Sequence, residues 1–350
     1  PVQNLWEQMQ LTYEYGIDRL WVLNVGDLKP MEYPITLFLD MAWNPTKYTA
    51  DNLKDHTLDF CRQQFGEDQA AEAARIFNLY SKYAGRVTPE RLDRNTYNLA
   101  TGEWKQVSDE FIKLEAEALR QYMTLSEDAR DAYFQLILFP VQALANLYEM
   151  YYAQAMNHYL YKANDPAANW WADKVESCFA RDKFLADQYN NVMAGGKWKN
   201  MMSDKHIGYH MWSMPDENKL PGLVYVDSAL IPAEKTPVHQ TREYGIDAHN
   251  YDRNIRTEQT SWIVLPDLGR GEACMGASPT SSPSYPNGDG PRLEYDIITD
   301  SEDNLTIAVG ILPTQDVNPS RGLRIGMMLD EGPLQIIDAR RGLKDEFKEY

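Results

Sequence analysis

The segment Tyr15-Gly16-Ile17-Asp18-Arg19-Leu20-Trp21-Val22-Leu23-Asn24-Val25-Gly26-Asp27-Leu28-Lys29-Pro30 holds the residue types best suited to chemistry. A continuous apolar run, residues 20–23, leads straight into Asn24, Asp27 and Lys29. The Asn24 amide can both donate and accept hydrogen bonds, as sugar hydroxyls require. Lys29 offers a compact positive charge that suits a carboxylate. Gly26 allows the backbone to approach a ligand closely. In α/β barrels the active site forms at the C-terminal ends of the strands, which is where such a run would deliver these side chains. The plainer reading is that Asn24 and Asp27 cap the following helix and tie down the loop.

A second cluster runs from Gly195-Gly196-Lys197-Trp198-Lys199 to His206-Ile207-Gly208-Tyr209-His210-Met211-Trp212. Two glycines, two histidines, two tryptophans and a tyrosine beyond a helix make a loop that could face a ligand. His206 and His210 have the i, i+4 spacing of a metal pair, but Gly208 between them disfavours a helix. No carboxylate or cysteine completes a ligand set, so no metal is expected. The loop could instead be buried structure that fixes neighbouring domains together, a pocket wall or a subunit contact. Further on, Asp247 and His249 lie in Ile246-Asp247-Ala248-His249-Asn250-Tyr251. This resembles the opening strand of carbohydrate-binding sandwiches, but with Asp and His where those modules often carry two Glu. Asp300, Glu302 and Asp303 form an acidic turn that reads as solvated surface.

Three stretches of different periodicity must position these residues. In residues 1–50 a helix bearing Leu5, Met9 and Tyr13 ends at Gly16, residues 20–23 form a strand, and a second helix spans 34–43 with Pro34 in its first turn. This is one unit of an α/β fold. Residues 51–231 read as a helical bundle. Asp51 caps a helix bearing Leu58, Cys61 and Phe65. Ala70, Ala74, Phe77 and Tyr80 mark a second helix, and Ser108 caps a third. The longest runs from Ser126 to Tyr161 with a kink at Pro140, and Asp165-Pro166 opens the last. From residue 232 to 350 the period becomes two. Leu293, Tyr295 and Ile297 alternate, as do Leu305, Ile307, Val309 and Ile311, and then Leu323, Ile325, Met327 and Leu329. A turn at Asp330-Glu331-Gly332 leads to residues 334–337. Such strands imply an antiparallel sandwich. The expected class is α+β multidomain: the end of a TIM barrel, an α-helical bundle and an antiparallel β-sandwich.

The net charge of −18 disfavours nucleic acid and anionic membranes as partners. No apolar run is long enough to span a bilayer. Cys61, Cys178 and Cys274 are isolated and form no redox or zinc pattern, so no cofactor is expected. The 22 tyrosines and 9 tryptophans could stack on sugars or fill a helical core. The chain opens with Pro1 and shows no signal peptide, from which a preceding portion is expected.

NVGDLKPMEYPITLFLDMAWNP resembles the end of the catalytic barrel of glycoside hydrolase family 115, the xylan α-glucuronidases. PERLDRNTYNL, FPVQALANLYEMYYA, AGGKWKNMMSDKHIGYHMW, NIRTEQTSWIVLPDLGR and PRLEYDIITD are similar to family segments in family order. The resemblance implies inverting hydrolysis of 4-O-methyl-glucuronic acid linked α-1,2 to xylan. Its acid and base carboxylates are expected upstream of Pro1 and would stand roughly 6.5–9.5 Å apart. Asn24 matches a position at the glucuronic acid pocket, and Asp27 and Lys29 fall in the same motif. Together with His206 and Tyr209 they are the candidates for substrate contact. The resemblance further implies glucuronoxylan or aldouronic acid as partner, a periplasmic or secreted location, and a homodimer as one arrangement of the intact enzyme. The competing expectation is a free-standing carbohydrate-binding or assembly module without catalysis.

Overall fold

In a computed structural model of the protein, the described residues are 2–26, 28–209, 214–227, 245–297, 306–312, 314 and 322–339. Helix α1 (Val2–Glu14) buries Val2, Trp6 and Leu11. It ends at Gly16 with φ +83°: Gly16 N–H donates to the Tyr13 carbonyl and Ile17 N–H to that of Thr12. That pair of bonds is a Schellman cap, which requires the left-handed residue found there.

The expected strand at residues 20–23 does not form. This stretch joins no sheet, and Leu20 and Val22 are 75% and 83% exposed. An apolar run becomes a strand only when a neighbour satisfies its backbone groups, and no described residue does so here.

Helix α2 (Glu32–Trp43) then buries Tyr33, Leu37, Phe38 and Met41. Helices α3 (Leu53–Phe65) and α4 (Glu67–Ala84) fold back on one another about Gly66, whose φ of +85° suits the reversal. Asp51 does not cap α3; Asn52 occupies that position, and its side-chain Oδ1 accepts from Thr49 N–H. Helix α5 (Glu103–Thr124) begins well before Ser108, which lies buried in its interior rather than at a cap. Val107, Phe111, Leu114 and Ala118 place one helix face in the core, and that apolar spacing extends the helix past the serine signal.

The longest helical run is interrupted where Pro140 predicts a kink. Helix α6 (Glu127–Tyr133) passes into a π turn, Phe134–Leu138, and then into α7 (Phe139–Lys162). Phe139 N–H donates to the carbonyl five residues back, at Phe134. Proline has no N–H to continue the ordinary ladder, and the inserted residue accommodates it. Helix α8 (Ala167–Asp187) packs antiparallel to α7: Asn146 donates to the Cys178 carbonyl and Asn157 to that of Ala168. Beyond α8 lie a second π turn, Gln188–Val192, and a short turn, Met193–Gly196.

Part of the aromatic content of the sequence fills this helical core. Trp104, Tyr33, Tyr133, Tyr148 and Tyr189 are fully buried. Trp104 meets the rings of Tyr97 and Tyr148 at 5.0 and 6.0 Å in edge-on geometry.

The described strands form three antiparallel pairs. These are β1 (Arg253–Ile255) with β4 (Arg292–Glu294), β2 (Ser261–Pro266) with β3 (Ala273–Ser278), and β5 (Arg324–Met327) with β6 (Gln335–Asp338). Leu265 of β2 and Leu268 join the core formed by α1–α6. The β5–β6 turn carries Asp330 at φ +48° and Gly332, as the turn signal predicts. Ile307, Val309 and Ile311 are about half exposed and lie in no strand, because alternation alone supplies no partner. Leu305 and the acidic residues Asp300, Glu302 and Asp303 lie outside the described residues.

Candidate functional site

Asn24 is exposed, and its side-chain oxygen accepts from the N–H of Gly26 at 3.3 Å, a local turn that shapes the loop. Gly26 has φ +60°, a conformation that glycine adopts without strain. Asp27 lies outside the described residues. Lys29 is held on two sides. Its ammonium pairs with Glu32 in the first turn of α2 and lies 4.5 Å from the ring centroid of Trp198. The ammonium carries three N–H donors, so the Glu32 contact leaves donor capacity for a further partner.

Glu32 is the hub. Its Oε1 accepts from both Lys29 and Gln135, while Oε2 is buried with no hydrogen-bond partner. The Tyr189 hydroxyl is likewise buried and unpartnered. Burial raises the Tyr189 pKa strongly, and the nearby Glu32 charge adds to the effect. Tyr189 packs on Phe139 at 4.8 Å between ring centroids, in a small cluster that also receives Trp198.

Gln135 and Trp198, which contact the Lys29–Glu32 pair, and Tyr189, which clusters with Trp198, come from irregular backbone. Gln135 sits in the first π turn and Tyr189 in the second, while Trp198 follows the Met193–Gly196 turn. In that turn Ala194 and Gly195 have φ +50° and +64°. Each extra residue in a π turn advances the helix face by about 100°, which re-aims the side chains beyond it. Gly196 has φ +78°, and a Cβ there would stand 3.1 Å from the Asn191 carbonyl oxygen.

His206 does not join this group. Its Nε2 lies 2.8 Å from Asp182 Oδ1 and its Nδ1 3.0 Å from the Asp204 carbonyl. Both nitrogens face acceptors, which requires the doubly protonated ring. Burial by itself would lower the His206 pKa, but the Asp182 carboxylate outweighs it and the net shift is upward. Asn218 completes the clasp: its Oδ1 accepts from the N–H groups of His206 and Ile207. These contacts tie the loop down around His206, with Ile207 buried beneath it. Tyr209 is partly buried. His210 and Trp212 lie outside those residues. Asp247 Oδ2 accepts from Glu272 N–H, and His249 pairs with Glu272 at 3.7 Å.

Sequence reasoning placed Trp198 in a candidate loop but did not connect it to Lys29. Glu32, Gln135 and Tyr189 were not singled out. The Glu32 spacing, three residues after Lys29 on a helix start, was the one available signal.

The two ends of the chain match models of a single family of glycoside hydrolases. Residues 1–91 match Glycosyl hydrolase family 115, and residues 240–349 match the Glycosyl hydrolase family 115 C-terminal domain. The chain belongs to glycoside hydrolase family 115. Its fold is similar to that of a solved family GH115 4-O-methyl-α-glucuronidase, BtGH115A, with specificity for decorated arabinogalactans. The TM-score is 0.55 at 23% identity, over 75% of this chain and 35% of that one. This chain thus spans about a third of that relative's length. No curated protein sequence matches it.

Proposed function

We propose that this chain is part of an α-glucuronidase that releases 4-O-methyl-glucuronic acid from a plant polysaccharide by inverting hydrolysis, with α-1,2-linked glucuronoxylan as substrate. In this reading residues 1–50 belong to the end of a TIM barrel, residues 51–231 to a helical bundle and residues 232–350 to a β-sandwich. The acid and base carboxylates come from earlier barrel strands, and Asn24, Asp27 and Lys29 lie at the rim of the pocket.

The observation that carries the reading is the ammonium of Lys29, a residue of the family-matching segment, fixed between Glu32 of that segment and Trp198 beyond it. A protein of net charge −18 repels a uronic acid overall, so a local, oriented cation is needed to hold the carboxylate. The solved relative's specificity favours a second substrate reading, decorated arabinogalactan.

The test is to assay the full-length protein on aldouronic acids, glucuronoxylan and glucuronosyl arabinogalactan. Release of the uronic acid with inverted anomeric configuration supports the mechanism, and the better substrate decides between the two polysaccharides. Binding to these polymers without hydrolysis would instead favour a carbohydrate-binding module.

A further inference from the structure

Two interruptions of regular helix between α6 and Lys199 bring a side chain to the Lys29–Glu32 pair, and a third buries Tyr189 in the cluster that receives Trp198. The Phe134–Leu138 π turn presents Gln135 to Glu32 Oε1. The Gln188–Val192 π turn buries Tyr189, which packs on Phe139 in the cluster that Trp198 joins. The turn with left-handed Ala194 and Gly195 leads to Trp198, whose ring lies under the Lys29 ammonium. Irregular backbone costs conformational energy and is retained where it aims particular groups.

We propose that Trp198 and Gln135 are positioning residues of the helical region that fix Lys29 for substrate, Trp198 directly and Gln135 through Glu32. This rests on the glucuronidase reading above. Lys29 has a flexible four-carbon stem, and a free ammonium would sample many positions. The Trp198 face and the Glu32 carboxylate restrict it to one. Gln135 occupies the same carboxylate oxygen and keeps Glu32 from turning away. Lys197 also lies over Trp198, at 4.8 Å, so a second cation shares the ring.

The experiment uses the full-length enzyme and four variants: Trp198→Ala, Trp198→Phe, Lys29→Met and Trp198→Ala in the Lys29→Met background. Trp198→Ala is expected to raise KM for aldouronic acid about two- to thirtyfold, the range of a cation–π contact, with kcat little changed. Trp198→Phe should restore most of the affinity. In the Lys29→Met background Trp198→Ala should add no further loss. On an analogue whose uronic carboxyl is reduced to the alcohol, the effect should shrink. An equal loss with and without Lys29 overturns the proposal.

Hydrogen exchange of the Gly26 and Met31 amides, which donate to Asn24 Oδ1 and to the Leu28 carbonyl on either side of Lys29, gives a readout independent of turnover. Trp198→Ala should accelerate it and Trp198→Phe should not; unchanged exchange also overturns the proposal. An inactive wild type with loosened loop exchange in Trp198→Ala would sink the glucuronidase reading while leaving the positioning contact in place. Should Trp198→Ala fail to fold, Gln135→Met removes the donor to Glu32 at similar volume. It must then show the same dependence on Lys29.

Discussion

Asn157 grips both backbone groups of Val224. Its side-chain N–H donates to the Val224 carbonyl at 2.8 Å, and its oxygen accepts the Val224 N–H at 3.1 Å. Asn169 holds Val226 in the same way, at 2.9 Å for both bonds. Two asparagines on α7 and α8 thus take the place of a neighbouring strand and pin residues 224–226 along these two helices.

Replacing Asn157 should therefore cost more than a surface change. Asn157 is fully buried and also donates to the Ala168 carbonyl. Each buried polar group left unpaired costs about 1–3 kcal/mol. Asn157→Ala is expected to lower unfolding free energy by about 3 kcal/mol or more, and Asn169→Ala by less. Urea unfolding of the three proteins checks the order; a neutral Asn157→Ala would mean that water replaces the amide without loss.

The His206 clasp should weaken with rising pH. The raised pKa means that the folded state favours the protonated ring. Its contribution is therefore fully present below the ordinary imidazole value of about 6.5 and is lost as pH rises through the higher folded value. Amide exchange at Ile207 and Lys219, corrected for intrinsic rates, should increase over that window. His206→Gln should remove the pH dependence. A flat profile in the wild-type protein would show that the contact does not depend on the charge.

The thiols should separate by burial. Cys61 and Cys178 are buried, and desolvation pushes each thiol up to about 12. Cys274 is less buried and its thiol is raised also, by burial. A thiol reagent at pH 8 should modify Cys274 first in the native protein and reach the other two only on unfolding. Fast labelling of Cys61 or Cys178 would reveal local opening of α3 or α8.

Amides from Asp18 to Val25 should exchange fast in this chain, since none has a backbone hydrogen-bond partner among the described residues. Those of Phe139–Lys162 should be the slow reference. Protection of residues 20–23 equal to that of the long helix would point to a partner covering the apolar run.

Asn24→Ala in the intact enzyme should leave the melting temperature nearly unchanged, because the side chain is exposed and makes one local contact. If Asn24 binds the uronic acid, kcat/KM should fall roughly ten- to two-hundredfold, the equivalent of one hydrogen bond to a charged group. Full activity, or a loss that merely tracks stability, would make Asn24 a structural cap.

The sequence by itself determined the helices, because apolar spacing, glycine stops and proline breaks act locally. Gly16, Gly66 and Pro140 each mark a real reversal or interruption. It also determined the family, since long unusual strings need no geometry to be recognised. Tertiary structure alone decided what local signals leave open. Ser108 and Asp51 look like caps, but the helices they seem to start are set by the apolar face that must be buried. Residues 20–23 and 307–311 have the pattern of strands, yet a strand exists only where another chain segment accepts its hydrogen bonds. The Lys29–Glu32–Gln135–Trp198 group joins positions more than 160 residues apart. No sequence spacing encodes that meeting. It follows from two π turns and a left-handed turn, whose cumulative rotation becomes visible only once the helices are packed.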